Sequence, residues 1–360
     1  MVAVPGRARH YPRMASPTNR QIAELLARRA EETEGPRHRA YRRSSAAAFL
    51  WPEEAAAVHA AGRSLTELRY VGDRLAKRIA GWIEDPPEVP EPPPERHGFL
   101  TISELLPVIQ SGPDWRAELR GDLQMHTVYS DGLDTVADMA EACFQLGYEY
   151  ITITDHSTGQ RIPRGMQPDA IARQAGEIDR ANREFADTER NFRILRSIEM
   201  NLRPDGTGAL TAEELRDFEL VVGSFHSDLR TTEDQTKRYV VALSNPDVDI
   251  IGHPRGRMYS RRAGLHADWD AVFQAALRFD KAMEINANPA RQDLQLHLLE
   301  TAAEAGIRIS LATDAHSIPE LQFMDFSVGT ALKAGIARDR VINFMTVDEL
   351  LAWRAVRRSA

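Results

Sequence analysis

The stretch "YEYITITDH" at residues 148–156 decides the fold, because a short apolar run ends there in two potential metal ligands, Asp155 and His156. Five later runs repeat the pattern: "FRILRSIEMN", "FELVVGSFHS", "VDIIGHP", "KAMEINANP" and "IRISLATDAH". Helical patterns lie beside these runs, at 134–147, 169–187, 232–244, 268–278, 292–306 and 330–335. Alternating strands and helices predict a parallel sheet covered by helices, and this many repeats favour closure into a barrel.

The later runs also end in potential metal ligands. In barrels of this kind the active site gathers at the carboxyl ends of the strands. A lone histidine is usually a hydrogen-bonded core or surface residue, but five of the 11 histidines belong to this one set. Imidazole and carboxylate groups together suit Zn, Mn or Fe ions, and eight ligands are too many for one ion, so two or three divalent ions are expected. The set is His126, Asp131, His156, Glu199, His226, His253, Asp314 and His316.

A further stretch, "GDLQMHTVYSDG" at residues 121–132, looks like the opening of a metal site with one residue changed. Alternate residues of an extended segment share a face, so Gln124 lies on the same side as His126. A second histidine at 124 would grip a metal ion, whereas a glutamine oxygen is a neutral and weaker donor. A working site with an unusual ligand, a weakened site and the remnant of a site all remain open.

The composition is that of a globular protein that buries a full core, with 42% hydrophobic and 27% charged residues among 360. No apolar run approaches the length of a membrane span, and no signal peptide is evident. Cys143 is the only cysteine, so no intrachain disulfide forms. These features predict a cytoplasmic protein without membrane contact.

The charge is divided along the chain. Residues 1–83 carry 15 Lys and Arg against eight Asp and Glu, whereas the remainder carries 30 against 45. This division suggests a phosphate-binding module joined to an acidic body, although an ordinary charged surface explains it equally well. Composition and periodicity predict a poorly ordered tail at 1–16, a helical domain at 17–85, a Pro-rich linker at 86–117 and the strand-and-helix domain at 118–360.

The motifs "GDLQMHTVYSDG", "ITDHS", "IEMN", "SFHSDL", "IGHPRGR", "EINANP" and "TDAHS" resemble, in order and spacing, the polymerase-and-histidinol-phosphatase (PHP) domain. The form at the C-terminus of bacterial family X DNA polymerases is the most similar. This resemblance covers about residues 118–355. It implies an α/β fold, a distorted seven-stranded TIM-like (β/α) barrel, with a trinuclear metal centre that hydrolyses phosphoesters by activating water and holding phosphate oxygens.

The resemblance also assigns roles to single residues. One ion would sit on Gln124, His126, Glu199 and Asp314, a second on Glu199, His226 and His253, and a third on Asp131, His156 and His316. The catalytic members would be His126, Asp131, Glu199, His226 and Asp314. Arg255 and Arg257, just after His253, are candidates for phosphate binding by charge-assisted hydrogen bonds. A plain surface role for these two arginines is the alternative.

The helical front end resembles the N-terminal eight-kilodalton domain of family X polymerases, which ends in a helix-hairpin-helix. Such a hairpin presents backbone N–H groups to a DNA phosphate without reading the base sequence. The candidate DNA-binding residues are Arg42, Arg43, Gly72, Arg74, Lys77 and Arg78. The hairpin reads Tyr70-Val71-Gly72 where relatives have Gly-x-Gly, and Arg78 cannot act as an amine nucleophile. We therefore expect DNA binding without lyase activity, and a domain that only packs on the barrel is the alternative.

Three functions follow from these resemblances. The first is a metal-dependent phosphoesterase acting at DNA 3′ ends, as a 3′-phosphatase or 3′-5′ exonuclease, on nicked, gapped or damaged DNA without sequence preference. A polymerase core is not expected, because only residues 86–117 stand where it would lie. The second is a small-molecule phosphomonoesterase of the histidinol-phosphatase type. The third is a catalytically weakened DNA-end-binding protein, for which Gln124 is the evidence.

Overall fold

The computed structural model describes residues 15–158 and 165–359. The chain divides into two compact units between Glu91 and Pro92, which we call the helical unit and the barrel unit. Of the predicted tail, residues 1–14 lie outside the described residues. Among the helices of the described ranges, none is both long and apolar enough to cross a membrane.

The helical unit consists of four helices: α1 (Asn19–Glu31), α2 (Gly35–Ala48), α3 (Ala55–Ala60) and α4 (Asp73–Glu84). A capping box starts α1, because the Thr18 hydroxyl accepts from the Gln21 N–H and the Gln21 side chain accepts from the Thr18 N–H. Apolar side chains at helical spacing, such as Ile22 and Leu26, are fully buried. A small helical core with a basic surface results, as the sequence predicts.

Seven parallel strands form the barrel unit's sheet, in the order β1 to β7. The first strand is short, but the chain after it continues along the last one: the His126 N–H donates to the carbonyl of Ala315, and the Asp314 N–H donates to that of Gln124. These bonds join the two ends of the sheet and confirm the distorted TIM-like barrel. The strands are β1 (Gly121–Asp122), β2 (Tyr150–Ile153), β3 (Arg193–Leu202), β4 (Leu220–Phe225), β5 (Ile250–Gly252), β6 (Ala282–Asn286) and β7 (Arg308–Ala312).

Helices cover the outside of the barrel. Successive side chains of each strand point to opposite faces of the sheet, so the apolar ones form two separate layers. The outer layer lies between sheet and helices, whereas the inner layer, with Leu123, Leu195 and Val222, fills the barrel. Trp353 packs with the inner layer. The helices of this unit are α5 (Ile102–Ser111), α6 (Trp115–Glu118), α7 (Val136–Gln145), α8 (Pro168–Asp187), α9 (Thr236–Ser244), α10 (Trp269–Arg278), α11 (Leu296–Ala305), α12 (Met324–Lys333) and α13 (Val347–Ser359).

The predicted linker at 86–117 differs from the structure in its second half. Residues 86–93 form neither helix nor strand, but α5 and the start of α6 fall within the predicted linker. The buried Leu105 of α5 packs against α12, and a Cβ at Gly329 would come within 2.8 Å of its side chain. This close packing makes 102–117 part of the barrel unit. The proline-rich composition of the preceding residues gives no indication of where the packed part of the chain begins.

Candidate metal centre

The structure brings all eight predicted ligands to the carboxyl ends of the strands. Residues 126 and 131 follow β1, and residue 156 follows β2. Glu199 lies within β3, next to His156 across a parallel bridge. Residues 226, 253, 314 and 316 follow β4, β5 and β7. The barrel therefore converts positions far apart in sequence into one polar cluster.

Glu199 lies at the middle of the cluster and is completely buried. Its Oε1 is 2.8 Å from Nε2 of His253 and 3.4 Å from Nε2 of His226. Its Oε2 is 2.8 Å from Nδ1 of His156 and 3.5 Å from Nε2 of His126. Each carboxylate oxygen thus faces two imidazole rings, which is the geometry of a carboxylate able to bridge two cations.

Asp131 collects a second group of rings. Its Oδ1 lies 3.4 Å from Nε2 of His316, 3.6 Å from Nε2 of His156 and 3.8 Å from Nδ1 of His126. The four residues offer atoms that lie within 4.8 Å of one another. His126 also faces Asp314, with 3.1 Å between Nε2 and Oδ1. The assignment of particular ions to particular ligands stays a prediction, but the three expected groups are spatially adjacent.

Gln124 is buried two residues after β1, and neither side-chain amide atom has a hydrogen-bond partner among the described residues. A Cβ on Gly252 would come within 3.1 Å of its Oε1, so the absence of a side chain at 252 gives the glutamine its space. Nε2 of His226 and Nδ1 of His126 are also buried and form no hydrogen bond with a described residue, although each faces a carboxylate oxygen, at 3.4 Å and 3.8 Å. Buried polar atoms normally form hydrogen bonds. Several nitrogen and oxygen atoms without hydrogen bonds, grouped among carboxylates, are what a site for bound cations requires.

The charges of the cluster shift several pKa values. Burial favours the neutral ring of His156, but the charges of Glu199 and Asp131 outweigh it and raise its pKa to about 10. Burial opposes charge on His316 as well, and Asp131 and Asp314 nevertheless raise its pKa to about 9. Burial dominates at His226 and lowers its pKa to about 4. The centre therefore attracts positive charge strongly, from protons or from metal ions.

The backbone of two ligand residues is strained. His253 has a φ of 25° and Asp314 a φ of 53°, both in the left-handed region that residues other than glycine rarely occupy. Such conformations cost roughly 1–3 kcal/mol each and concentrate at functional sites. Here they turn the chain at the ends of β5 and β7, so that both side chains point to the cluster.

Two buried carboxylates outside the ligand set hold the ligand loops. Asp155 accepts from the backbone N–H of Thr127 at 2.8 Å and from its hydroxyl at 2.5 Å. Asp122 accepts from the Thr313 hydroxyl at 2.5 Å, and burial raises the pKa of Asp122 to about 6. These bonds fix the residues next to His126 and Asp314. Asp155, which the sequence marks as a possible ligand, is thus an anchor for the β1 loop.

Sequence reasoning missed four residues that contact this cluster. Asn201 Oδ1 lies 2.6 Å from Nδ1 of His226, and Asn286 donates to Asp314 at 3.1 Å. Glu284 is completely buried, and burial together with the charge of Asp314 raises its pKa well above the usual range. Arg291 Nε lies 3.0 Å from Asp314 Oδ2. The motifs "IEMN" and "EINANP" contain the first three, but a motif does not say which of its polar residues contact ligands.

Arg255 and Arg257 occupy different surroundings from those predicted. The Arg257 guanidinium stacks 3.7 Å from the centre of the Phe99 ring and donates to the carbonyl of His97 at 2.7 Å. Arg255 Nε donates to the carbonyl of Leu265 at 3.1 Å. In the described part of the chain, neither side chain forms a hydrogen bond or salt bridge with a predicted metal ligand. The loop turns after His253, so the side chains of Arg255 and Arg257 bind backbone carbonyls and an aromatic ring. Arg291, from another loop, is the arginine beside the predicted ligand Asp314.

The predicted DNA-binding residues lie on the helical unit's surface. Gly72 caps the start of α4, and the neighbouring Tyr70 is 48% exposed with a φ of 61°. The guanidinium groups of Arg43 and Arg69 lie 5.2 Å and 5.0 Å from its ring centre. An exposed aromatic ring flanked by arginines offers both a stacking surface and positive charge. The remaining predicted residues, Arg42, Arg74, Lys77 and Arg78, are all exposed.

Comparison with known proteins supports this description. The family model for the PHP domain matches residues 122–288. The DNA polymerase/3′-5′ exonuclease PolX of Bacillus subtilis is 38% identical over 269 residues, which is 74% of this chain but only 45% of that protein. The chain therefore spans less than half of that relative's length. A protein named Probable phosphatase from Thermoanaerobacter sp. (strain X514) is 27% identical over 62% of this chain and 89% of its own length.

Among solved structures, histidinol phosphate phosphatase from Lactococcus lactis, complexed with Zn, L-histidinol and phosphate, matches with a TM-score of 0.46 and 18% identity. The match covers 61% of this chain and 94% of that one. The family model covers the strand ends that carry most of the cluster, from the end of β1 to the end of β6. Residues 122–288 of the barrel unit therefore form a PHP domain.

Proposed function

We propose that the chain is a cytoplasmic, metal-dependent phosphoesterase that acts at DNA 3′ ends, as a 3′-phosphatase or 3′-5′ exonuclease. The observation that carries the proposal is the position of Glu199, buried and surrounded by four imidazole rings. A buried negative charge needs positive charge beside it, and several nitrogen atoms around this carboxylate form no hydrogen bond with the described residues. Bound cations would meet both requirements. Two or three Zn, Mn or Fe ions satisfy this need.

Bound divalent ions would supply Lewis acidity for the phosphoryl oxygens and would activate water near neutral pH. The chain's own residues hold and orient this centre. His226 is the ligand best defined by its surroundings, because Asn201 faces its Nδ1 and leaves Nε2 free. A cavity of about 260 Å³, lined by His226, Asn201 and Ser227, opens beside this ligand and gives a phosphate ester a route to it.

The choice of DNA as substrate draws on the helical unit and on the Bacillus relative, whose name includes a 3′-5′ exonuclease activity. The unit exposes arginines and Tyr70, which suit contact with phosphates and with an unstacked base. Sequence-independent binding to nicked, gapped or damaged ends would follow. A small-molecule phosphomonoesterase is the second candidate, favoured by the match to the Thermoanaerobacter phosphatase over most of that protein's length.

The test is Mn²⁺-dependent release of 3′-phosphate and of 3′-nucleotides from nicked and gapped DNA. The native chain should release product, and His226→Ala should lose at least about a hundredfold in rate, since it removes a metal ligand. The matched control is His266→Ala, which changes an exposed histidine outside the cluster and should retain activity. Cleavage of small phosphomonoesters with no activity on DNA would favour the second candidate. DNA binding without any cleavage would favour a binding protein whose centre is disabled.

A further inference from the structure

Three loops at the same end of the barrel as the metal centre carry four arginines, and the charges of three of them act on the fourth, Arg262. The hairpin Met258–Arg262 follows β5, Arg230 follows β4 and Arg291 follows β6, so all three loops leave the carboxyl ends of the strands. The Tyr259 N–H donates to the carbonyl of Ala290 at 2.8 Å, which fixes the hairpin against the loop that carries Arg291. The arginines Arg230, Arg261, Arg262 and Arg291 form what we call the arginine cluster.

The arginine cluster is connected to the metal centre through one residue. Arg291 Nε lies 3.0 Å from Oδ2 of Asp314, whose other oxygen faces His126 at 3.1 Å. Arg262 Nε donates to the carbonyl of Gly256, and backbone bonds of 3.0 Å in both directions join Met258 and Arg262. The hairpin that carries Arg261 and Arg262 is therefore held in place by backbone hydrogen bonds.

Arg291 is paired with Asp314, but among the described residues the charges of the other three arginines are not balanced by ion pairs. In the described part of the chain, no salt bridge joins Arg230, Arg261 or Arg262 to an acidic side chain. Burial and the positive charges of Arg291, Arg230 and Arg261 lower the pKa of Arg262 to about 10, and the charge of Asp293 opposes them. Asp293 already accepts the backbone N–H of Arg255 at 2.9 Å. Neighbouring guanidinium groups that repel one another in a fixed loop are typical of an anion site.

We infer that the arginine cluster is a second phosphate-binding site, which holds the internucleotide phosphate next to the scissile one in a DNA strand. This inference rests on the proposed function, because it requires that the metal centre cleaves a phosphoester at a strand end. A substrate with one phosphate occupies only the metal centre. A substrate with two neighbouring phosphates gains the charge-assisted contacts of the cluster as well. The cluster would thus make the enzyme prefer a nucleic-acid end over a small phosphomonoester.

The experiment compares thymidine 3′-phosphate with the dinucleotide dTpdTp, which ends in the same ester but has one internucleotide phosphate. Phosphate release with Mn²⁺ is measured for the full chain, for Arg261→Gln and for Arg261→Lys. Arg261 is exposed, so the change should leave the fold intact. We expect the loss in kcat/KM caused by Arg261→Gln to be about tenfold larger for dTpdTp than for thymidine 3′-phosphate, mainly through KM. Arg261→Lys should recover part of it.

The control is Arg216→Gln, which removes an exposed arginine from the segment before β4, at the opposite end of the strands. It should change neither substrate's kinetics. Equal losses on both substrates in Arg261→Gln, or no loss on either, would overturn the inference. If the native chain releases phosphate from neither substrate, the assay on nicked and gapped DNA decides the proposed function, and calorimetric titration with dTpdTp tests the cluster alone. Binding that weakens about tenfold in Arg261→Gln supports the cluster in that case, and unchanged binding rejects it.

Discussion

Asn201 accepts, through Oδ1, a hydrogen bond from Nδ1 of His226 at 2.6 Å. The Asn201 Nδ2 group donates to the carbonyl of Ser157 at 3.2 Å, which fixes the orientation of the amide and leaves Oδ1 as the acceptor facing His226. His226 therefore carries its proton on Nδ1 and presents a free Nε2 to the centre of the cluster. Partners of this kind fix the tautomer and the orientation of metal-bound histidines.

Replacing Asn201 should weaken metal binding even though it is not a predicted ligand. We expect Asn201→Ala to lower the affinity for the ion held by His226 by about 10–100-fold, as measured by competition with a fluorescent chelator. Asn201→Asp keeps an acceptor at the same place and should be closer to the native protein. Asn191→Ala, at an exposed asparagine before β3, is the control. Equal affinities in Asn201→Ala and Asn191→Ala would show that the contact does not orient His226.

Gln124→His should strengthen the first metal site. Imidazole is a better donor than an amide oxygen for Zn and Mn, and Gly252 leaves room beside position 124. We expect the variant to retain more metal per chain than the native protein after dialysis, by up to one equivalent, as measured by elemental analysis. Gln145→His adds an imidazole at an exposed position of α7 and serves as the control. Equal metal content in the native chain and in Gln124→His would mean that position 124 does not contribute a ligand.

Metal binding should release protons and become tighter as the pH rises. In the metal-free chain the pKa of His156 is about 10 and that of His316 about 9, so both rings are protonated at pH 7. A histidine must be neutral to bind a metal, so each ring gives up a proton on binding, and the affinity should grow up to about tenfold per pH unit for each proton released. Calorimetric Zn²⁺ titrations in buffers of different ionisation enthalpy count these protons. His316→Gln should release one fewer, and His266→Gln should match the native chain.

A buried ion pair should contribute strongly to the stability of the barrel unit. Arg357 of α13 lies 2.5 Å from Asp249, which is completely buried before β5. Arg357→Leu would leave Asp249 with fewer partners, and we expect the free energy of unfolding to fall by about 3 kcal/mol. Urea denaturation of the metal-free chain measures this change. Arg338→Leu breaks an exposed pair with Glu118 and should cost under about 1 kcal/mol. If both variants lose a similar free energy of unfolding, burial of the Arg357–Asp249 pair contributes nothing to stability.

The sequence predicts the barrel well because polar residues near the carboxyl ends of the strands mark where the apolar runs stop. The run "YEYITITDH" contains β2, and Asp155 and His156 follow the strand after one intervening residue. Helix boundaries are less predictable from periodicity. The pattern predicts a helix at 292–306, but α11 begins at Leu296, because Gln292 is instead used to bond the backbone of Leu100 at 2.7 Å and 2.8 Å.

The candidate site is predictable where it depends on strand ends and unpredictable where it depends on loop paths. His226 and His253 reach Glu199 because neighbouring parallel strands end side by side. Arg257 lies four residues after His253, yet the loop carries its side chain to Phe99. Arg291 reaches Asp314 from another loop, and sequence distance gives no indication of that contact.

The central position of Glu199 has a consequence for how the ions bind. Since each of its oxygens faces two histidines, the first two of the expected ions would share this one carboxylate and would not fill their sites independently. The first ion to arrive would fix the carboxylate and the rings for the next, and the effect is reciprocal. Metal uptake should therefore be cooperative, and a chelator that removes one ion should loosen its neighbours.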